Sequence, residues 1–179
     1  MTDYGLLAKQ IVSLAEVDAY WLPVLSNAAA LLWDALDDIN WAGFYLVDPA
    51  TVSGVEPDAD LESGAAPSAH ELRTPELRLG PFQGKVACVR IPFGRGVCGT
   101  AAATKTSQLV EDVHQFPGHI ACDSASNSEV VVPIVKDNQV VGVLDIDSPS
   151  VARFTQEDLT GLEQVVEALE SCVNFSDFC

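Results

Sequence analysis

The sequence contains few basic residues. Lysine and arginine together number 9, against 26 aspartates and glutamates, which gives a formal net charge of −17. The basic residues are scattered along the chain, whereas contacts with nucleic-acid phosphates need them clustered on one surface. The composition therefore predicts a protein that does not bind nucleic acid.

The chain also lacks an apolar run long enough to cross a membrane. The longest, around residues 28–36, is interrupted by Asp34 and falls well short of the roughly 20 residues that a transmembrane helix needs. The start of the chain has no basic segment followed by an apolar run, as a secretory signal would have. We therefore expect a cytoplasmic protein that does not associate with a membrane.

No two cysteines have the C-x-x-C spacing of a zinc site. In a reducing compartment, cysteines occur as thiols, catalytic groups or metal ligands more often than as structural disulfides. The five cysteines are Cys88, Cys98, Cys122, Cys172 and Cys179. His114 and His119 fit the histidine half of a zinc site, but the cysteine half is incomplete. The spacing therefore does not favour a metal site.

Hydrophobic residues make up 48% of the 179 residues, which is enough for the core of a single domain spanning residues 1–179. Apolar side chains recur at helical spacing through the first forty residues. Residues 39–47 are aromatic and β-branched, which is typical of a buried strand. Residues 48–75 are rich in proline and have no apolar period, so they predict a surface insertion.

The second half of the chain predicts short strands followed by a helix. The strands are expected at 77–79, 86–91, 107–110, 130–135 and 139–146. Asp137 and Asn138 suit a tight hairpin turn between the last two strands. Thr155 and Asp158 have the spacing of a helix N-cap and its reciprocal acid. Helices at both ends of a run of strands predict an α+β domain with an antiparallel sheet.

The hexapeptide GRGVCG, residues 94–99, matches the G-x-G-x-x-G spacing of dinucleotide-binding loops. That fingerprint also requires a strand before it and a long crossover helix after it, which the surrounding sequence does not predict. Thr100 stands where a P-loop would have its lysine. We expect the glycines to allow a tight turn and a close approach of the backbone instead.

Cys88, Cys98 and Cys122 lie in segments bordered by glycine or proline, which we expect to be loops. A single cysteine is most often a buried, inert thiol. A loop thiol near a helix N-terminus and basic side chains has a lowered pKa and can act as a nucleophile. Arg95 and His114 are basic side chains of this kind that lie nearby in sequence. Three such cysteines together indicate thiol chemistry.

Carboxylates gather at the ends of two predicted strands. Asp145 and Asp147 are two positions apart and therefore share one face of a strand. Glu129 begins the preceding strand, which would pair with theirs as a hairpin. Like charges at close range raise the pKa of at least one carboxyl, so that it is protonated at neutral pH. The charge pattern alone also allows a solvated acidic edge of the sheet.

Four segments carry a more specific signal: INWAGFYL, GPFQGKVACVRIPFGRGVCGTA, EDVHQFPGHIACDSASNSEVVVPI and GVLDIDSP. Together they closely resemble the free methionine-(R)-sulfoxide reductases, enzymes with a GAF domain. The resemblance implies reduction of free methionine-(R)-sulfoxide to methionine, with thioredoxin as the usual reductant. It also implies a GAF-like six-stranded antiparallel sheet flanked by N- and C-terminal helices, and commonly a homodimer.

The resemblance further implies roles for the residues that match its motifs. Cys122 matches the nucleophilic thiol, and Cys88 and Cys98 match resolving thiols, with Cys98 as the alternative first attacker. The acidic and aromatic residues of the substrate pocket match Glu129, Asp145, Asp147, Trp41 and Tyr45. The implied mechanism has the Cys122 thiolate attack sulfur while an acid protonates the sulfoxide oxygen, and it needs no metal and no organic cofactor. The resulting sulfenic acid then forms a disulfide that thioredoxin reduces.

Two other functions stay open on the residues alone. One is a GAF-type module that senses a small molecule without catalysis, and the other is a thiol protein that senses peroxide. The chain departs from shorter members of the family in the 48–75 segment and in Cys172 and Cys179. Cys172 falls on the apolar face of the last helix, so we expect it in the core.

Overall fold

A six-stranded antiparallel sheet forms the middle of the protein. A computed structural model describes residues 2–52, 74–118 and 124–175 of the chain. The strands are β1 (Trp41–Val47), β2 (Glu76–Gly84), β3 (Arg90–Pro92), β4 (Gln108–Val110), β5 (Ser128–Lys136) and β6 (Gln139–Ser148). Their order across the sheet is β3-β2-β1-β6-β5-β4, and every neighbouring pair is antiparallel. Strands β1 and β6 therefore lie at the centre.

Helices pack on both sides of this sheet. They are α1 (Tyr4–Ala15), α2 (Trp21–Ala35), the short α3 (Pro49–Val52), α4 (Gly96–Thr104) and α5 (Gln156–Cys172), with a 3-10 turn at Val113–Gln115. Helices α1, α2 and α5 share one hydrophobic core with the sheet, and α4 belongs to a second core on the opposite side. None of the helices in the described ranges has the length and apolarity needed to cross a membrane. The predicted α+β fold is confirmed.

The central strand β1 is buried along its whole length. Alternate side chains of a strand point to opposite faces, so Phe44 and Leu46 enter the core shared with α1, α2 and α5. Trp41 and Tyr45 enter the core on the α4 side. Fully burying one large apolar side chain contributes roughly 1.5–3 kcal/mol. Both faces of the sheet therefore stabilise the fold.

Two local sequence signals form the structures that they predict. The turn between β5 and β6 has positive φ angles at Asp137 (49°) and Asn138 (62°), residue types that tolerate this conformation. At the start of α5, the Asp158 N–H donates to Thr155 Oγ1 at 3.2 Å. In return the Thr155 N–H donates to Asp158 Oδ2 at 2.9 Å. This reciprocal cap fixes where α5 begins.

The segment predicted as a surface insertion begins with buried residues. Asp48 is 2% exposed and forms ion pairs with Arg78 at 2.5 Å and with Arg90 at 2.7 Å. Burial alone would raise the pKa of Asp48, but hydrogen bonds from Arg90, the Ala50 N–H and Arg78 hold this pKa below its usual value. Thr51 is also buried. Residues 53–73 lie outside the described ranges, so an insertion there stays a prediction.

The strand predicted at 86–91 is wrong for most of its length, because only Arg90–Pro92 forms β3. Residues 86–88 have no regular structure. The β-branched composition of this segment favours a strand. Among the described residues, however, the segment pairs with the sheet only through β3 and β2, and this pairing ends at Arg78 and Arg90. The Leu79 N–H then donates to the Val89 carbonyl at 3.0 Å.

Candidate active site

Three carboxylates meet on the α4 side of the sheet. Glu129 on β5 lies directly opposite Asp147 on β6, which in turn lies opposite Trp41 on β1. Asp145, two residues before Asp147 and on the same face, lies opposite Gly43. Glu129 and Asp145 are buried, and Asp147 is half-buried. The structure thus brings together the three acidic residues that the sequence analysis predicts to be close to one another.

Cys98 joins this group from helix α4. Its thiol donates a long hydrogen bond to Glu129 Oε1, with 3.8 Å between sulfur and oxygen. One donor atom from each of Cys98, Glu129 and Asp145 lies within 4.8 Å of the others. The three side chains are 5–6% exposed. A buried cluster of one thiol and two carboxyls therefore forms between α4 and the sheet.

The expectation that Cys98 lies in a loop is wrong, because it occupies the first turn of α4. Gly99 explains how α4 packs so closely against the end of β3. A Cβ atom at that position would lie 2.3 Å from the Pro92 carbonyl oxygen, so only glycine allows α4 to pack here. Gly94, with φ +76°, supplies the tight turn before the helix. Both glycines serve the backbone roles that the sequence predicts.

Burial and mutual repulsion raise the pKa values of the two carboxyls. Burial raises the pKa of Asp145 to about 7. Burial, together with the charges of Asp145 and Asp147, raises the pKa of Glu129 well above its usual range. At neutral pH the pair therefore holds a proton on a carboxylic acid. Within the described part of the chain, Asp145 Oδ1 is buried and has no hydrogen-bond partner.

The same surroundings act on the thiol of Cys98. Burial raises the pKa of this thiol well above its usual value, and the charges of Asp145 and Glu129 add to the effect. The sequence predicts a lowered pKa from nearby basic residues and a helix N-terminus, and for Cys98 that prediction is wrong. Arg95 is exposed, whereas the carboxyls are in contact. Cys98 is therefore a neutral thiol at neutral pH.

Aromatic rings form the neighbouring wall of the site. The Trp41 ring stacks on Phe82 with centroids 5.2 Å apart and on Tyr45 with centroids 5.6 Å apart. Trp41 Nε1 is buried and has no hydrogen-bond partner among the described residues. Burial and then the charge of Asp145 raise the pKa of Tyr45, so its phenol stays protonated. An apolar surface with unused polar atoms thus borders the acids.

Phe82 is a site residue that the sequence analysis missed. It lies opposite Gly43 in the pairing of β1 with β2, and a Cβ atom at Gly43 would lie 2.3 Å from Phe82 Cβ. The absent side chain at Gly43 leaves the space that Phe82 fills. A small residue facing a large one becomes visible only when the strand register is known.

The other predicted thiols differ in their surroundings. Cys88 is half-buried and takes part in a disulfide bond. Cys98 and Cys172 are free. Cys172 is half-buried at the end of α5 and packs, as expected, against the core that α1, α2 and α5 share with the sheet, which we call the helical side. Cys122, Cys179 and His119 lie outside the described residues.

The zinc set considered from the sequence is not tested as a whole, because His119 and Cys122 lie outside the described residues, and only the surroundings of His114 are known. This residue is exposed, and its Nε2 lies 2.9 Å from Asn127 Oδ1. Among the described residues, the donors close enough to hold a metal ion are Cys98, Glu129 and Asp145 instead. Structural zinc sites usually have four protein ligands, whereas this group supplies three. The absence of a metal stays a prediction.

Comparison with known proteins places this geometry in a family. The GAF domain family matches residues 21–173. The free methionine-R-sulfoxide reductase of Escherichia coli is 48% identical over 175 residues, covering 98% of this chain and 91% of that protein. The chain belongs to the free methionine-R-sulfoxide reductases. These are oxidoreductases built on a GAF domain.

Solved structures of this family have the same fold. The fRMsr of Staphylococcus aureus in its reduced form is 46% identical, with a TM-score of 0.79 and coverage of 97% of each chain. The free methionine-R-sulfoxide reductase of Neisseria meningitidis, solved in complex with its substrate, is 40% identical, with a TM-score of 0.74. That match covers 94% of this chain and 86% of the other. The six-stranded sheet and its helices are thus those of the reductase family.

Proposed function

We propose that this protein reduces free L-methionine-(R)-sulfoxide to L-methionine by thiol chemistry. The observation that carries the proposal is the buried group of Cys98, Glu129 and Asp145 beside Trp41 and Tyr45, in a chain of this family. A protonated carboxyl next to an aromatic wall is the arrangement that a small, polar sulfoxide with a methyl group requires. The raised pKa of Asp145, about 7, makes that acid available at neutral pH.

The first step is attack of a thiolate on the sulfoxide sulfur. The S–O bond breaks, the oxygen passes to the attacking sulfur as a sulfenic acid, and methionine leaves as the thioether. The sulfoxide oxygen gains negative charge during the attack, so a neutral acid in contact with it stabilises the transition state. Asp145 and Glu129 supply that acid, and Asp147 opposite Glu129 keeps its pKa high.

Cys122 is the thiol that we assign to the attack. The contribution of Cys98 as a nucleophile is limited because its pKa is raised, and the thiolate is the reactive form. Cys88 takes part in a disulfide, which fits the role of a resolving thiol. The sulfenic acid of Cys122 would condense with Cys88 and release water. Cys98 remains the second resolving thiol that the sequence predicts.

Substrate recognition follows from the same residues. A carboxylate among Glu129, Asp145 and Asp147 can pair with the α-ammonium group of free methionine sulfoxide, a group that a residue inside a peptide lacks. Trp41 and Tyr45 would pack against the methyl group and the side-chain carbons. Through these contacts the protein would prefer the free amino acid to a methionine sulfoxide within a protein.

The disulfide must be reduced before another turnover. We assign this step to thioredoxin, whose two thiols would take over the disulfide by exchange and leave two protein thiols. The proposal includes a homodimer, as the family resemblance implies, that works in the cytoplasm, where thioredoxin keeps thiols reduced.

The decisive experiment measures methionine release from the separate R and S epimers of free methionine sulfoxide, with dithiothreitol as reductant. Wild type is compared with Cys122→Ser, Cys98→Ser and Cys88→Ser. We expect turnover of the R epimer alone, abolished by Cys122→Ser. Loss of the first turnover in Cys98→Ser but not in Cys122→Ser would move the attack to Cys98. Turnover of neither epimer would refute the enzymatic function.

A further inference from the structure

Cys98, Glu129 and Asp145 come from three elements of the fold and form one buried group, which we call the thiol–carboxyl cluster. One donor atom from each lies within 4.8 Å of the others, and the Cys98 sulfur is 3.8 Å from Glu129 Oε1. Zinc binds cysteine sulfur at about 2.3 Å and carboxylate oxygen at about 2.0–2.2 Å in tetrahedral geometry, which places neighbouring ligand atoms about 3.5 Å apart. Small side-chain movements would therefore bring all three donor atoms to one ion.

The sheet and helix α4 fix the positions of these side chains. Glu129 lies opposite Asp147 in the pairing of β5 with β6, so Asp145, two residues earlier on β6, is its diagonal neighbour on the same face. Helix α4 brings Cys98 to the two carboxyls, because Gly99 allows this helix to pack closely on β3. A metal site needs ligands that are held near their binding geometry. The strand register and the packing of α4 meet this need.

The charge around the thiol–carboxyl cluster favours a cation. Burial and then the negative charges of Asp145 and Asp147 raise the pKa of Glu129, and burial and carboxylates act on Cys98 in the same way. Asp145 is 5% exposed, and its Oδ1 atom has no hydrogen-bond partner in the described part of the chain. Buried polar atoms nearly always have a partner. A divalent cation would provide one and would balance the negative charge.

The donor set selects the kind of cation. A thiolate is a soft ligand that suits zinc and its heavier analogue cadmium, whereas magnesium and calcium prefer oxygen ligands. Catalytic zinc sites commonly have three protein ligands and keep the fourth position for water or substrate. The thiol–carboxyl cluster supplies three donors of this mixed kind, so it fits zinc better than a hard cation.

We propose that the thiol–carboxyl cluster binds one Zn²⁺ ion reversibly and that the bound ion inhibits the enzyme. Cys98, Glu129 and Asp145 would be the ligands, with water in the fourth position. Each ligand that carries a proton releases it to solvent, since zinc binds the thiolate and carboxylate forms. The ion would occupy the acids that the reaction needs, as an inhibitor and not as a cofactor. The inhibition rests on the proposed function, whereas the binding does not.

Binding is measured first, without methionine sulfoxide, in the protein that has the Cys88 disulfide. Isothermal titration calorimetry with zinc chloride, in a buffer with excess Mg²⁺ to occupy surface carboxylates, gives the stoichiometry and Kd. We expect one zinc ion per chain. Cys98→Ser and Asp145→Asn should each weaken binding at least about 100-fold, because even groups outside the ligand shell typically contribute 10–100-fold. Cadmium should produce the ultraviolet absorption of a cadmium–thiolate bond in wild type and lose it in Cys98→Ser.

Cys172→Ser and Asp137→Asn are the matched controls. Cys172 is a free, half-buried thiol at the end of α5, and Asp137 is an exposed carboxylate in the hairpin turn. Both variants should bind zinc as wild type does. Unchanged affinity in Cys98→Ser would overturn the proposal, as would an equal loss in Cys172→Ser or no binding to wild type. If Cys98→Ser does not fold, Asp145→Asn against Asp137→Asn decides.

Inhibition is measured in a single turnover of the reduced protein with the R epimer, because dithiothreitol itself binds zinc. Zinc at the concentration that fills the site should slow methionine release in wild type at least about tenfold, since an occupied site excludes the substrate, and a chelator should restore the rate. The first turnover of Cys98→Ser, whatever its own rate, should not respond to zinc at this concentration. Equal inhibition of this variant, or undisturbed turnover of zinc-bound wild type, would overturn the inhibition.

The two proposals can fail separately. If zinc binds through Cys98 but the protein turns over neither epimer of methionine sulfoxide, the proposed function fails and the zinc site stands. If turnover is normal and the wild type does not bind zinc, the zinc site fails and the function stands.

Discussion

The two faces of the sheet use the same strands for different purposes. Toward α1, α2 and α5, strand β6 places Leu144 and Ile146 in a fully apolar core. Toward α4, the alternate residues Asp145 and Asp147 bring carboxylates to Glu129. One register therefore fixes both sets of side chains, because neighbours along a strand point to opposite sides.

This division places the chemistry on one face, although both faces bury apolar side chains. An apolar side chain on the helical side lowers the free energy of folding through burial. A buried carboxyl on the α4 side raises it, since burial opposes ionisation. The fold tolerates these carboxyls because apolar side chains on both faces, and above all the larger core toward α1, α2 and α5, stabilise it. Substitutions on the two faces should therefore change different measured quantities, and the following predictions test this contrast.

We expect the largest effect from Asp145→Asn on the α4 side. The amide has the shape of the acid but cannot donate a proton to the sulfoxide oxygen. Loss of a general acid typically lowers the rate by about 10²–10⁴-fold, so kcat/KM for free methionine-(R)-sulfoxide should fall at least about 100-fold. The midpoint of thermal unfolding should not fall, since the substitution removes a buried ionisable group. Steady-state kinetics and calorimetry measure the two quantities.

Asp137→Asn is the control for that variant. Asp137 lies exposed in the hairpin turn with φ 49°, a conformation that asparagine adopts readily. Its kinetics and stability should match those of wild type. Kinetics of Asp145→Asn equal to those of wild type would remove Asp145 from the site.

On the helical side, Leu144→Ala should produce the opposite pattern. Leu144 is fully buried, and large-to-small substitutions of this kind lower the free energy of unfolding by about 2–5 kcal/mol. At 25 °C, kcat/KM should stay within about twofold of wild type, since a surface or core change that leaves the site intact removes no transition-state contact. Urea denaturation measures the stability, with Leu22→Ala in α2, where Leu22 is 43% exposed, as a control of small effect. A hundredfold loss of activity would show that the faces are not separable.

The pH dependence of stability should also distinguish the faces. Because the folded pKa of Asp145 is raised to about 7, the folded state binds more protons than the unfolded state between about pH 4 and pH 7. Stability of wild type relative to Asp145→Asn should therefore fall as pH rises through this window, by at most about 1.4 kcal/mol per pH unit for one proton. Urea denaturation at pH 5, 6.5 and 8 measures the difference. A constant difference, or one that grows in favour of wild type, would contradict the raised pKa.

Local signals in the sequence predict much of this fold. The cap at Thr155, the turn at Asp137 and Asn138, and the alternation that groups Asp145 with Asp147 depend on neighbours along the chain. Each of these forms as predicted, because capping, turn conformation and strand alternation follow from residue type and spacing. The rest of the expected architecture is predicted from the motifs that resemble the reductase family.

Features that depend on contacts between residues far apart in sequence could not be predicted from the sequence alone. Cys98 has a raised pKa because Glu129 and Asp145 come from other elements, whereas the sequence shows only its basic neighbours. Phe82 became a site residue through its pairing with Gly43. Asp48, in a stretch with the composition of a loop, is buried by arginines about 30 and 42 positions away. Such contacts need the register of the sheet.

The smallest effect should come from the free thiol on the helical side. Cys172 is half-buried at the end of α5, far in the fold from the carboxyls that surround Cys98. Burial raises the pKa of Cys172, so it is a neutral and unreactive thiol, and serine has nearly its size. Cys172→Ser should therefore change the free energy of unfolding by less than about 1 kcal/mol and leave kcat/KM for methionine-(R)-sulfoxide unchanged with either dithiothreitol or thioredoxin. A selective loss with thioredoxin would give Cys172 a part in the recycling of the disulfide, and the helical side could no longer be described as purely structural.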